Sequence, residues 1–288
     1  MENLVAATNN KQVNENVSFV IDTSLLKRSR RKRKARDGRG RVYIVGAGPG
    51  DPELITAKGM KLLQKADVVV YDRLVQTSLI NQSKRSAERI YVGKRAGSHS
   101  KDQNAIHRII IDHAKKGKNI VRLKGGDPFL FGRGAEEAQK LKKAGIQFTI
   151  VPGVTSALAV PAYAGIPVTH RKYSSSIAIV TGHQDSTKKN QVDWRKIATA
   201  VDTIIILMGM GRLEEIVDEL IAGGCERNTK AAIIEWGTTN HQLSVVGTLS
   251  NIVRKAHSHN LKPPAIIIVG EIVKLHRTLN WFDTSIQH

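Results

Sequence analysis

Apolar residues occur in short runs along the chain from residue 42 onwards, and glycine, proline or aspartate follows most of these runs. Short apolar runs that end in a turn signal are typical of buried strands. Segments with apolar residues at helical spacing lie between many of the runs, for example over 54–66. This alternation predicts an α/β protein in which mainly parallel sheets carry helices on their faces.

The pattern divides into two series of predicted elements. We predict strands over 42–45, 67–71, 89–92, 119–123 and 147–151 in the first series, and over 176–181, 203–208, 231–236, 241–247 and 265–269 in the second. Helices are predicted over 105–116, 156–163, 211–222 and 248–256, and another helical pattern begins after Gly134. Because residues 160–175 interrupt the alternation, we expect one α/β domain over 41–165 and another over 166–280.

The residues that could form a site share one placement, since each lies at the end of a predicted strand or just after it. In a parallel sheet the carboxyl ends of the strands lie along one rim, where small molecules usually bind. We therefore expect residues that are far apart in sequence to converge on one cleft. They are Pro49, Asp72, Lys94, Asp127, Thr155, Met208 and Gly237.

The turn after the run 120–123 is the most informative of these. Gly125 and Gly126 let the backbone pass close to a ligand because they carry no Cβ. Asp127 then offers a carboxylate at the strand end. Taken alone, these residues also fit an ordinary Gly-Asp-Pro turn.

A second glycine-rich turn covers 46–50, but it does not match a dinucleotide-binding fingerprint. Asp51 occupies the place of the third glycine, and its negative charge disfavours a pyrophosphate. Pro49 also removes a main-chain N–H that a phosphate would use. The turn still allows a ligand to come close.

Composition limits the class of protein. The 288 residues include one cysteine, Cys225, which excludes an internal disulfide, and the sequence has no Cys/His cluster with zinc-site spacing. No apolar run is long enough to predict a membrane span. We expect a reducing compartment, the cytoplasm, and no metal site.

The net charge of +20 is unevenly distributed, because ten Lys and Arg residues fall within 27–41. A block of like charges repels itself, so we predict a disordered basic N-terminal extension over 1–40. We interpret it as a solvated tail in preference to a nucleic-acid-binding arm. The rest of the chain is also basic, which favours an anionic partner.

Several motifs, in their order and spacing, resemble the tetrapyrrole (corrin/porphyrin) methylase family from about Arg41 to Glu271. They are Val45-Gly-Ala-Gly-Pro-Gly-Asp-Pro52, Tyr71-Asp-Arg-Leu-Val75, Val92-Gly-Lys-Arg95, Arg122-Leu-Lys-Gly-Gly-Asp-Pro-Phe129, Val151-Pro-Gly-Val-Thr-Ser156, Gly165-Ile-Pro-Val-Thr-His-Arg171 and Leu207-Met-Gly209. The basic extension lies outside the family pattern.

The resemblance implies a homodimer of two-domain α/β chains, with the active site in the cleft between the domains. It also implies S-adenosylmethionine as the methyl donor. The residues that match cofactor-contacting positions of the family are Pro49, Gly125, Gly126, Asp127, Leu130, Thr155, Ser156, Met208 and Gly237. Asp72 and Lys94 match positions with general-base and general-acid roles, although Lys94 could equally hold a substrate carboxylate.

The implied reaction is methylation of uroporphyrinogen III at C2 and C7, which gives precorrin-2 on the way to sirohaem or cobalamin. Another branch of the family, such as a precorrin-4 or diphthamide-pathway methylase, is the alternative. The implied substrate carries eight carboxylates, and basic residues near the cleft could bind them or could form a solvated rim. The candidates are Arg122, Lys124, Arg133, His170 and Arg171.

Overall fold

The computed structural model describes residues 38–93, 103–183 and 191–282, which contain two five-stranded sheets. Most of the predicted extension over 1–40 lies outside these residues. Its last residues are described, and the Gly40 N–H donates to Ala114 O at 2.8 Å. In the described part of the chain, no helix is long and apolar enough to cross a membrane.

The first sheet is parallel throughout. Its strands are β1 (Val42–Gly46), β2 (Val68–Tyr71), β3 (Glu88–Tyr91), β4 (Ile120–Lys124) and β5 (Phe148–Val151), in the order β3-β2-β4-β1-β5. The central strand β4 is buried along its whole length. A strand covered on both faces is expected to be apolar at almost every position, yet β4 also carries the buried charges of Arg122 and Lys124.

Helices cover both faces of the first sheet. They are α1 (Ala57–Leu63), α2 (Thr77–Ile80), α3 (Gln103–Lys115) and α4 (Gly134–Lys143). In α3 the buried residues Ile106, Ile110 and Ala114 recur every four positions, which places them on one stripe. They pack with α4 against one face, while Leu63 and Leu79 from α1 and α2 pack against the other.

The second sheet is mixed, which corrects the expectation of mainly parallel pairing. Its strands are β6 (Ile177–Thr181), β7 (Thr203–Leu207), β8 (Lys230–Glu235), β9 (Leu243–Thr248) and β10 (Ala265–Val269), in the order β6-β7-β10-β8-β9. Strands β6 and β7 pair in parallel, and the other three pairs are antiparallel. The ten strands occur where the apolar runs predicted them.

The helices of the second half are α5 (Ser156–Tyr163), α6 (Trp194–Ala198), α7 (Leu213–Ala222), α8 (Ile252–Ser258) and α9 (His276–Leu279). Helices α6, α7 and α8 cover one face of the second sheet. Helix α5 follows the last strand of the first sheet, yet its Val160 packs against Ile234 and Ile266 on the other face. This helix therefore joins the two sheets. Short 3-10 segments cover Pro52–Leu54, Met210–Arg212 and Glu271–Leu275.

One tight turn explains the mixed pairing. Between β8 and β9 the Thr239 N–H donates to Trp236 O at 3.2 Å, and the Gln242 N–H donates to Thr239 O at 3.0 Å. The chain reverses here without a helix, so β9 runs antiparallel to β8. After α8, β10 keeps the direction of β9 and inserts between β7 and β8. Both neighbours of β10 are therefore antiparallel to it.

Candidate functional site

Three glycines allow the loops after β1, β4 and β5 to touch through their backbones. A Cβ on Gly153 would lie 2.3 Å from Gly126 O, and a Cβ on Gly46 would lie 2.5 Å from Gly153 Cα. Any side chain at these positions would force the loops apart. The Gly126 N–H also donates to Gly48 O at 2.6 Å. The three loops therefore form one continuous surface at the carboxyl edge of the first sheet.

Asp127 fastens two of these loops together. Its Oδ1 accepts from the Phe129 N–H at 2.7 Å, and its Oδ2 accepts from the Gly153 N–H at 3.0 Å. The side chain is half-buried. Because a carboxylate offers about four acceptor sites, Asp127 keeps capacity for a ligand donor while it holds the loops.

The loops of the second sheet contribute residues with left-handed backbones. Met208 follows β7 with φ 57°, and Trp236 follows β8 with φ 48°. Thr238 is β-branched and has φ 66°, a conformation that costs about 1–3 kcal/mol. The Oγ1 of this buried residue accepts from the Asp51 N–H at 3.1 Å. Strained residues therefore occur where the two halves of the molecule meet.

A cavity of about 730 Å³ lies between the two sheet edges. Its walls include large apolar side chains left exposed, namely Leu74 (40%), Phe131 (41%) and Met208 (51%). An exposed apolar lining of this kind is typical of a small-molecule site. The structure brings together all nine residues predicted to contact a cofactor: Pro49, Gly125, Gly126, Asp127, Leu130, Thr155, Ser156, Met208 and Gly237.

Sequence reasoning missed one wall of the cavity. Pro263, Pro264, Ala265 and Ile266 line it from the beginning of β10. The sequence pattern pointed to the carboxyl ends of parallel strands, whereas β10 is antiparallel to both of its neighbours and presents its amino end at this rim. Ala265 pairs with Glu235 at the end of β8. The missing helix between β8 and β9 was the signal that could have placed these residues.

Comparison with known proteins relates the cavity to a family. Residues 41–253 match the family model described as Tetrapyrrole (Corrin/Porphyrin) Methylases. The chain belongs to this family. The matched range begins just before β1 and ends inside α8, so it includes the loops after β1, β4, β5, β7 and β8 that line the cavity.

Individual methylases show how similar the chain is to members of the family. It is 54% identical over 238 residues to the uroporphyrinogen-III C-methyltransferase of Methanocaldococcus jannaschii, which covers 82% of this chain and 98% of that relative. A solved structure of the uroporphyrin-III C-methyl transferase of Thermus thermophilus, complexed with S-adenyl homocysteine, is also similar. The sequence identity is 39% and the TM-score is 0.70, and the match covers 82% of this chain and 94% of that one.

A methylase that acts elsewhere in tetrapyrrole chemistry has a similar fold. A cobalt precorrin-4 methyltransferase superimposes with a TM-score of 0.73 at 30% identity, over 81% of this chain and 95% of that one. The backbone therefore does not separate the branches of the family, while sequence identity is higher to the uroporphyrinogen-III enzyme.

Asp72, the predicted general base of this methylase, lies beside the cavity in a charge cluster of four residues. The cluster consists of Asp72, Arg122, Lys124 and Glu137. Asp72 Oδ1 accepts from Arg122 Nη2 at 2.7 Å. Its neighbours Arg73 and Leu74 line the cavity. Lys94, the predicted general acid, lies outside the described residues.

Arg122 and Lys124 were candidates either for binding substrate carboxylates or for a solvated rim, and the structure buries both. Their side chains are only 2% and 6% exposed, because both belong to the central strand β4. Burial opposes the charged guanidinium of Arg122, but attraction by Glu137 and Asp72 outweighs it and raises its pKa. Burial, together with repulsion from Arg122, lowers the pKa of Lys124. These cations balance internal carboxylates.

Other candidates of the sequence analysis lie away from the cavity lining. Arg133 is exposed and pairs with Glu136 at 2.7 Å, and the exposed His170 stacks on Tyr173 with their ring centroids 4.9 Å apart.

Within the residues that the structure describes, Cys225 and metal binding offer no further chemistry. Burial raises the pKa of the Cys225 thiol, which disfavours a nucleophilic thiolate. In the described part of the chain, no group of three or more His, Cys, Asp or Glu residues could hold a metal ion.

Proposed function

We propose that this protein is an S-adenosylmethionine-dependent methyltransferase that methylates uroporphyrinogen III at C2 and C7 and releases precorrin-2. The observation that carries the proposal is the cavity, because nine residues expected to contact the methyl donor line it from separate loops. Membership of the family and the identity to an enzyme of that name support the choice of substrate.

The cavity fits the methyl donor in its shape and chemistry. Around Gly125 and Gly126 there is space for a ligand, since a Cβ there would find its nearest neighbours at 3.4 Å and 3.9 Å. Exposed Leu74 and Met208 offer apolar contact suited to an adenine ring, while Asp127 can accept hydrogen bonds. A related enzyme crystallised with S-adenyl homocysteine supports this assignment.

The residues act mainly by positioning. S-adenosylmethionine supplies an electrophilic methyl group on a sulfonium sulfur, and well-oriented reactants account for much of the acceleration of such a displacement. The loops at Gly126 and Gly153 hold the reactants at one edge. Asp72 accepts the proton that the methylated tetrapyrrole releases. Lys94 donates a proton or holds a substrate carboxylate.

The proposal extends to the domain organisation, the oligomeric state and the cellular location. The two sheets represent two domains, 41–165 and 166–280, with the active site in the cleft between them. The enzyme is a homodimer in the cytoplasm. Exposed apolar side chains on and near α5 and α9 support an interface, since Leu158, Leu279 and Trp281 are 44%, 47% and 63% exposed. Size-exclusion chromatography with light scattering tests the dimer.

Incubation with uroporphyrinogen III and S-adenosylmethionine tests the function. We expect a product with the mass of two added methyl groups that fluoresces red after oxidation. If the product does not gain two methyl groups, the proposal is refuted, and preferential methylation of a precorrin-4 substrate would favour the other branch.

Gly125→Val tests the site, because its side chain would enter the cavity. We expect the variant to lose donor binding, measured by calorimetry, without loss of the fold.

A further inference from the structure

The two carboxylates of the charge cluster share its cations unequally. Glu137 Oε1 accepts from Arg122 Nε at 3.2 Å and from Lys124 Nζ at 3.1 Å, and Gln103 Nε2 donates to the same oxygen at 3.4 Å. Asp72 receives one short bond on Oδ1, from Arg122. Its Oδ2 lies 3.7 Å from Lys124 Nζ, which is an ion pair without a direct hydrogen bond.

This division of the cations has a cost at Glu137. The side chain is only 1% exposed, and among the described residues its Oε2 has no hydrogen-bond partner. A buried polar atom without a partner costs about 1–3 kcal/mol. Such a group calls for an explanation beyond stability. The Lys124 ammonium stays hydrogen-bonded to Glu137 although Asp72 Oδ2 is only 3.7 Å away.

We propose that Glu137 is a positioning residue, whose carboxylate holds the Lys124 ammonium off Asp72 and so leaves one Asp72 oxygen able to accept the substrate proton. The inference rests on the proposed function, in which Asp72 is the base. In the methylation step the S–CH₃ bond breaks with its electron pair remaining on sulfur, and a C–C bond forms at the ring carbon. The cationic product then loses a proton to Asp72.

The surrounding charges are consistent with this role. Arg122 and Lys124 from β4 form ion pairs with Glu137, and His107 from α3 interacts with it electrostatically. The exposed Glu136, next to Glu137 on α4, also interacts with Lys124 and His107, but its own salt bridge is to Arg133. Burial lowers the pKa of His107, which favours its uncharged imidazole. The cluster is then balanced by two cations and two carboxylates. Without the charge of Glu137, Asp72 would be the remaining carboxylate of the cluster for Lys124 to approach.

Glu137→Gln is the first variant to measure, because it removes the charge and keeps the shape. We expect kcat to fall about tenfold, since a positioned base typically contributes at least that much. Direct contact with an ammonium favours an ionised carboxylate, so we expect the acid limb of the kcat–pH profile to move down by about one unit. The Kd of S-adenosylmethionine should not change, because none of the four residues lines the cavity.

The double variant Glu137→Gln/Lys124→Met separates positioning from a general loss of structure. It removes the ammonium that Glu137 restrains and leaves Arg122 balanced by Asp72. We expect it to recover most of kcat and the wild-type acid limb, and Lys124→Met alone completes the double-mutant cycle. Glu219→Gln is the matched control, since it breaks the exposed Arg195–Glu219 pair at 2.8 Å far from the cluster.

The outcomes separate the inference from the function on which it rests. If the wild-type protein does not methylate uroporphyrinogen III, the proposed function is wrong and the inference falls with it. If Asp72→Asn has a normal kcat, Asp72 is not the base and the inference again falls. Normal methylation by the wild type, combined with an unchanged profile for Glu137→Gln, would overturn the inference alone. A double variant whose kcat is as low as that of Glu137→Gln would also overturn the inference alone. If Glu137→Gln does not fold, the charge-balanced double variant decides, since its inactivity in folded form would contradict the proposal.

Discussion

Asp127 combines two tasks that mutagenesis can separate. Its carboxylate accepts main-chain N–H groups from Phe129 and Gly153, and it also lines the cavity. An acidic side chain that bridges two loops fixes the distance between them. The geometry of the cavity near the loops after β4 and β5 therefore depends on this one residue.

We expect Asp127→Ala to lower both stability and affinity for the methyl donor. Loss of the carboxylate leaves two main-chain donors without their acceptor, at a cost of about 2 kcal/mol for a half-buried site. The Kd of S-adenosylmethionine should rise about tenfold or more, which corresponds to 1.4 kcal/mol. Thermal unfolding and isothermal calorimetry measure the two effects.

Asp193→Ala provides a matched control for this prediction. Asp193 Oδ1 accepts from the Lys196 N–H at 3.1 Å at the start of α6, and it does not line the cavity. We expect a small loss of stability, because one N-terminal N–H of α6 loses its acceptor, with normal donor binding. Normal binding by Asp127→Ala would show that Asp127 acts on the fold alone.

At the scale of single residues, the sequence predicted the cavity lining well and the depth of charged residues badly. Pro49 and Gly237 are in the cavity as expected, since both follow strand ends. Arg122 and Lys124 are buried because they lie within β4, and two nearby carboxylates compensate them. Their partner Asp72 is 50 residues from Arg122 in sequence, and Glu137 lies in the following helix, so a single chain read in order does not reveal the pairing.

Helix α5 is the element that joins the two walls of the cavity. Thr155 caps its first turn by accepting from the Ala157 N–H at 3.2 Å, and Thr155 and Ser156 both line the cavity. At the other end, the Tyr163 hydroxyl donates to Asp51 Oδ2 at 2.7 Å. The start of α5 therefore forms part of the cavity wall, and its end is hydrogen-bonded to the loop after β1.

We expect Thr155→Ala to destabilise the protein by about 1 kcal/mol, because one N-terminal N–H of α5 loses its acceptor. Donor affinity should fall as well, since the first turn of α5 forms part of the cavity wall. Thr155→Ser keeps the hydroxyl and should preserve both. Chemical denaturation and calorimetry on the same preparations give the two values.

Thr56→Ala is the control for the cap of α5. Thr56 caps α1 by accepting from the Gly59 N–H at 3.1 Å, and it does not line the cavity. We expect the same loss of stability with unchanged donor binding. Equal effects of the two variants on binding would mean that the cap of α5 has no particular role in the site.

At the scale of elements, the positions of the strands could be predicted from the sequence, but the directions of some strands could not. Each apolar run became a strand because burial decides the pattern of side chains. Direction depends on what connects the strands, and the turn over 236–242 reverses the chain without the helix that a parallel crossover needs. Helices α2, α6 and α9 have no more than five residues, too few for a clear periodic pattern.

In the whole molecule, the cavity belongs to both sheets. Gly126 and Thr155 line it from the first sheet's edge, and Met208 and Ile266 line it from the second. The Thr238 hydroxyl that accepts from the Asp51 N–H links the two edges at the rim. A ligand in this cavity contacts both halves, so its binding free energy should stabilise both.

We therefore expect S-adenosylhomocysteine to raise the stability of both sheets together. At a free concentration of one hundred times Kd, the added stability is about 2.7 kcal/mol, because the ligand binds the folded state alone. For a chain of this size that corresponds to a rise of roughly 5–10 °C in Tm. Hydrogen exchange of Leu123 in β4 and Ile206 in β7 reports on each sheet separately, since both residues lie in buried strands. We expect equal added protection at the two amides in the wild type and none in Gly125→Val, whereas protection confined to one sheet would contradict a shared cavity.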